Sequence, residues 1–153
     1  MPVHLTAHGA NSSITEDSPF NAPALVSWKV PIQRRVLGET GMRGAVIVSG
    51  VACGDGGDGI PGLLLGSPRD GAGNLIMLGT GQQHWPAVHA GDLAVVFRRV
   101  LEDDTARGYY YFAEVLLLDQ SVDAARARTE LGWQPSHPAL ADEFRHGSYR
   151  AGR

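Results

Sequence analysis

Apolar runs in this chain alternate with glycine- and proline-rich breaks, and the runs have two different periods. Residues 44–52, "GAVIVSGVA", are apolar and rich in β-branched side chains, which predicts one buried strand. "NLIMLG", 74–79, predicts a second, and "GYYYFAEVLLLD", 108–119, predicts extended chain. Residues 91–104, "GDLAVVFRRVLEDD", change to helical period, with Leu93, Val96, Phe97, Val100 and Leu101 on one stripe and Asp92 placed as the N-cap. Leu25, Trp28, Ile32 and Val36 predict a further helix within 24–37. Pro31 interrupts it and costs ~3 kcal/mol inside a helix, so a kink or a late start is expected. Two short helices follow. One starts at Ser121 and stops at Gly132; the other has Pro138 near its first turn and Gly147 past its end.

Strands alternating with helices predict an α/β fold. Residues 1–23 are polar and turn-rich and read as loop or weakly ordered, leaving 24–150 as a single α/β domain. A length of 153 residues suits one such domain. The net charge of −3 gives no basic footprint for nucleic acid. No apolar run approaches the ~20 residues of a membrane span, and no secretory leader is evident. Cys53 stands alone, which rules out an internal disulfide and fits a reducing, cytoplasmic setting.

Candidate chemistry changes this picture little at first. Gly54, Gly56 and Gly59 spell G-x-G-x-x-G after an apolar run, the order of a dinucleotide-binding turn. Asp55 and Asp58, however, bring negative charge to where a pyrophosphate would sit. The segment that follows, "IPGLLLG", is short and contains Gly62. A surface or substrate loop is the better reading. Ser12, Ser13 and Ser49 lie outside any G-x-S-x-G elbow, and Cys53 has no assignable base, so it reads as a buried inert thiol. His84, His89 and Asp92 have a spacing that metal ligands sometimes adopt. His137, Glu143 and His146 read as an exposed polar face. Trp85 suits either a ligand-stacking or a core role.

Four segments carry a resemblance: "TEDSPFNAPALVSWKVPIQRRVL" (15–37), "IPGLLLG" (60–66), "GTGQQHWPAVHAGDLA" (79–94) and "ARTELGWQPSHPALADEFRHGSYR" (127–150). Their order, the V-H-x-x-D-L-A stretch and E-L-G-W-x-P resemble the NAD-dependent epimerase/dehydratase family, the extended and atypical short-chain dehydrogenases. The resemblance implies a partial Rossmann-like, doubly wound sheet, the C-terminal half of such an enzyme. It implies NAD or NADP as cofactor and hydride transfer on a nucleotide-sugar-like or related carbonyl substrate, an oxidoreductase or isomerase activity. It makes "GDGGDG" a loop near the substrate rather than the pyrophosphate turn. Cys53, Gly54, Gly56, Gly57, His84, Trp85 and His89 then face the substrate; His89 orders its loop and Asp92 caps the helix.

The resemblance also implies absences. The family's Tyr-x-x-x-Lys pair falls on Val26 and Val30, neither of which transfers a proton. Lys29 is one residue off, about 100° around a helix. The family's N-terminal cofactor fingerprint has no counterpart here, and the region 108–119 is shorter than expected. The chain is therefore expected to be a truncated derivative, weak or inactive alone, partnered by a second copy or by a chain carrying the missing half. The alternative is a non-catalytic binding or interaction module.

Overall fold

Gly50 divides the apolar run 44–52 into two strands that serve different neighbours. The computed structural model describes residues 15–16, 27–56, 59–76, 86–112 and 123–149. β1 (Ala45–Ser49) pairs in parallel with β4 (Gly108–Phe112), in register from Ala45 opposite Gly108 to Ser49 opposite Phe112. β2 (Val51–Cys53) pairs in parallel with β3 (Ala87–His89), with Cys53 opposite His89. Among the described residues the single strand expected over 44–52 is thus two, in two separate two-stranded sheets. Parallel partners need crossover connections, and helices supply them. α1 (Lys29–Gly38) packs on β1, α2 (Ile60–Leu65) on β2, and α3 (Ala90–Glu102) lies against β1, β2 and β3. α4 (Ala125–Leu131) covers β4 and touches α3, and α5 (Leu140–His146) rests on β3. The α/β class follows from these parallel pairs and the five helices among the described residues. Among the described residues no helix is long and apolar enough to cross a membrane.

The core lies between α3, α4 and the strands. Val88, Val96, Val100, Ala106, Tyr110, Ala127, Leu131 and Trp133 pack there as one buried cluster. The α3 stripe is narrower than its sequence suggests. Val96 and Val100 are buried, but Phe97 and Leu101 remain exposed. The buried row runs along 92, 96 and 100, one residue per turn, and 97 and 101 sit about 100° further round. The C-terminal end of α3 is closed from outside the helix: the Arg43 guanidinium donates to the carbonyls of Val100 (2.7 Å), Ala106 (3.0 Å) and Leu101 (3.4 Å). Those of Val100 and Leu101 are carbonyls that a helix end leaves without partners.

Several other expectations shift. The helix within 24–37 begins late, at Lys29, with Pro31 in its first turn, where the missing N–H costs least. Its apolar row is not a core face: Trp28, Ile32 and Val36 are exposed, and Gln33 is the buried residue. Residues 74–76 are not a strand. Leu75 makes a lone bridge to Arg69, and the Asp70 carboxylate accepts the backbone N–H groups of Ala72 and Asn74, which bends the chain into a turn. α4 starts at Ala125 with Ala124 as a cap that offers no side-chain bond, and ends at Gly132 with φ +57° as expected. Leu25, Val26, Gly57, Asp58, His84, Trp85, Ser12, Ser13, Ser121 and residues 77–79 and 113–119 lie outside the described residues.

Candidate functional site

β3 runs directly into α3, so the junction His89–Asp92 projects side chains toward the loop that joins α4 to α5. A cavity of ≈ 300 Å³ forms there. Cys53, Val88, His89, Trp133 and His137 line it, with Arg128 also on its wall. The cavity brings together strand ends far apart in sequence, the usual place for ligands in small α/β proteins.

His89 and Asp92 exchange the roles their positions suggest. His89 is the N-cap of α3: its Nδ1 accepts the Gly91 N–H at 3.1 Å. Asp92 sits inside the first turn, 2 % exposed, and its carboxylate turns away from its own helix. Asp92 Oδ1 accepts the Ser136 N–H (2.9 Å), the Ser136 hydroxyl (2.7 Å) and His137 Nδ1–H (2.9 Å). Asp92 Oδ2 accepts the His137 N–H at 3.0 Å. The Trp133 indole N–H donates to the Asp92 carbonyl at 3.1 Å. So Asp92 is the clasp that holds the 133–137 loop, and the cap is an imidazole. The exchange has a physical cause. The Asp92 carboxylate faces a neighbouring loop rich in donors and is filled by them, which leaves the first N–H groups of α3 to His89.

Burial alone would raise the Asp92 pKa, but the donors from His137 and Ser136 more than offset it and hold the carboxyl at about 2. An ionised Asp92 can only accept, so the proton it receives from His137 sits on Nδ1. In the neutral tautomer that this bond selects, the lone pair of His137 is on Nε2. By the same logic His89, accepting at Nδ1, carries its proton on Nε2. The two rings stack in parallel with centroids 3.9 Å apart.

His89 in turn shapes the glycine loop. A Cβ on Gly54, whose φ is +104°, would lie 2.0 Å from His89 Nε2. The Gly54 N–H donates to the Tyr149 hydroxyl at 3.0 Å, which docks the segment after α5 onto this loop. Glu143 is buried, and Ser148 donates to its Oε2 through both N–H (3.0 Å) and hydroxyl (2.8 Å), which lowers its pKa. The expectation of an exposed polar face over His137, Glu143 and His146 therefore fails for Glu143, while His137 is exposed yet hydrogen-bonded to Asp92. Helix α5 is turned so that Glu143 faces Ser148, and His137 belongs to the Asp92 clasp.

Cys53 is 3 % exposed, and its thiol donates to the Val88 carbonyl at 3.4 Å. Burial and the negative charges of Glu143 and Asp92 push its pKa up, the opposite of what a nucleophilic thiolate needs. Among the described residues no three His, Cys, Asp or Glu side chains converge for a metal.

The glycine loop does not suit a pyrophosphate in its described residues. Gly54 spends its N–H on Tyr149, and Asp55 (φ +57°) adds negative charge. Helix α2 has six residues and carries Pro61 in its first turn, which removes a donor from the end that would face the anion. Val30 lies on α1 with no group to move a proton. The described part of the glycine loop thus lacks the free N–H groups and helix start of a pyrophosphate turn.

His137, Ser136 and Tyr149 are not legible as site residues in the sequence. Asp92 meets Ser136 and His137 across 44 and 45 residues of sequence, a separation that no local pattern encodes. The one hint is the pair of prolines, Pro135 and Pro138, that stiffen the loop around them. No family model, no curated protein and no solved structure matches this chain.

Proposed function

We propose that this chain carries the substrate-side elements of an NAD(P)-dependent epimerase/dehydratase-type protein and performs no hydride transfer by itself. One observation carries the reading: the two most specific segments of the resemblance meet at one place. Asp92, from V-H-x-x-D-L-A, holds the loop that follows E-L-G-W-x-P with four hydrogen bonds. The cavity they enclose takes Cys53 and His89 from the surface assigned to the substrate. Under this reading the parallel pairs β1–β4 and β2–β3 are the C-terminal part of a Rossmann-like sheet and its substrate-binding extension. Gly54 and Gly56 shape the turn above His89 and leave no cradle for a dinucleotide. Calorimetric titration of the folded chain with NAD⁺ and with NADPH tests it. The expected result is no saturable heat at micromolar concentrations; micromolar binding of either dinucleotide sinks the reading.

A second reading, an interaction module, is favoured by α1. Trp28 (59 %), Ile32 (54 %) and Val36 (38 %) form an exposed apolar row, and Met42 (61 %) lies beyond the helix end. Exposed rows of this kind mark contact surfaces. Sedimentation equilibrium of the wild-type chain and of an Ile32→Asn, Val36→Asn double variant checks it. Concentration-dependent self-association that the variant abolishes supports the module; a wild-type monomer at high micromolar concentration counts against a second copy as its partner.

A further inference from the structure

The polar atoms around the cavity are nearly all committed. Both Asp92 oxygens are taken by Ser136 and His137. His89 accepts from Gly91, and its other ring nitrogen lies against Gly54. The Cys53 thiol faces the Val88 carbonyl, and Arg128, half-exposed, pairs with Asp123 at 3.1 Å. Two ring nitrogens remain: His89 Nε2, packed against Gly54 and without a hydrogen-bond partner among the described residues, and His137 Nε2, which lies near Gly91. His137 Nε2 has no hydrogen-bond partner among the described residues, and the ring is 39 % exposed where it borders the cavity. Much of the remaining wall is apolar: Pro86, Val88, Trp133, Pro135 and Leu140.

We infer that this cavity binds a small apolar-bodied hydroxyl compound, and that His137 Nε2 accepts the proton of its hydroxyl. The inference rests on reading the cavity as ligand-facing, not on any dinucleotide. Its chemistry follows from the site. An acceptor without a partner is matched by a donor, and apolar walls favour a neutral donor over an ammonium, which would lose its hydration. The walls supply flat apolar area for a ring, with Trp133 among them. Proton transfer breaks the ligand O–H bond and forms N–H at Nε2. The oxygen keeps the electron pair, leaving an oxyanion beside an imidazolium. Asp92 is the positioning residue: it holds Nδ1–H and balances the imidazolium charge, the acid–histidine logic of general base catalysis. The other charged or titratable groups of the site are His89, stacked on the ring, Glu143, and Arg128 on the cavity wall. Cys53 stays a neutral thiol across the cavity.

The probe is 4-nitrophenol, whose oxyanion absorbs at longer wavelength than the neutral phenol, with 4-nitroanisole as the same body without the hydroxyl. The folded chain, confirmed by circular dichroism, is titrated at a pH where free 4-nitrophenol is mostly neutral. The expected result is saturable binding with growth of the oxyanion band. His137→Gln weakens it by about tenfold, the loss of one hydrogen bond to an otherwise unpartnered acceptor, while His146→Gln leaves it unchanged. Nitroanisole binds as weakly as nitrophenol does to the variant. A second measurement avoids the variant's fold. Carboethoxylation of the wild-type chain, mapped by peptide mass spectrometry, is expected to abolish binding in step with modification at His137. No saturable binding, binding without growth of the oxyanion band, or binding indifferent to His137→Gln and to its carboethoxylation each overturns the proposal. A dinucleotide result leaves this test unaffected, so the two readings fail separately.

Discussion

Asp92→Ala is expected to destabilise the chain by about 3 kcal/mol, since it strips four donors of their acceptor at once. The loss is bounded because Ser136 and His137 are exposed enough to turn to water. Chemical denaturation at neutral pH measures it; a loss under about 1 kcal/mol would mean the 133–137 loop holds itself without the clasp. The same carboxyl predicts a pH dependence with a definite sign. Its folded pKa of about 2 lies below the ordinary value of 3.8. A depressed acid stabilises the fold fully above its unfolded pKa, and that stability is lost as pH falls through the folded one. The wild type therefore sheds about 2 kcal/mol between pH 4 and pH 2 that Asp92→Asn does not shed. Other lowered carboxyls, including Glu143, titrate in both proteins, so the difference between the two curves isolates Asp92. Parallel curves would remove Asp92 from the acid transition.

Gly54→Ala is the second large effect, expected at about 3 kcal/mol or more. Two costs add. A side chain at φ +104° is strained wherever it sits. The new Cβ would also meet His89 Nε2 at 2.0 Å, Cε1 at 2.7 Å and Cδ2 at 2.3 Å. His89 cannot swing clear cheaply, because it caps α3 and stacks on His137. The thermal midpoint of the variant reads the strain, and loss of 4-nitrophenol binding reads the displaced ring. Gly56→Ala is the control. Its φ of +65° carries the backbone cost, but the nearest atom to its Cβ is the Ser148 carbonyl at 3.3 Å. If Gly54→Ala were no worse than Gly56→Ala, the close packing of His89 on the glycine loop would be excluded.

How far the fold could be read in advance depends on whether a residue acts through its neighbours in sequence. Gly132 stops α4 in the left-handed conformation, Pro31 delays α1 and Gly147 follows α5, each through local backbone sterics. The α3 period, the strand character of 45–49 and 108–112 and the parallel α/β class come from hydrophobic pattern, which is also local. Residues 74–76 mislead because their apolar character is outweighed by turn chemistry at Asp70. Gly50 misleads because a break between partners is invisible until the partners are known.

The helices, the strands at 45–49 and 108–112 and the stops at Gly132 and Gly147 thus lie in the chain's own pattern, whereas β3 does not. Long-range packing settles which apolar rows are covered, Val96 and Val100 but not Ile32 and Val36. It also assigns the cap to His89 and the clasp to Asp92, and joins Cys53, His89 and His137 around one cavity. The physical reason is the same throughout. Steric preferences and hydrophobic period act over a few residues, whereas a hydrogen bond spanning 45 residues, such as Asp92 to His137, exists only once β4 and α4, which lie between them, have packed against β1 and α3.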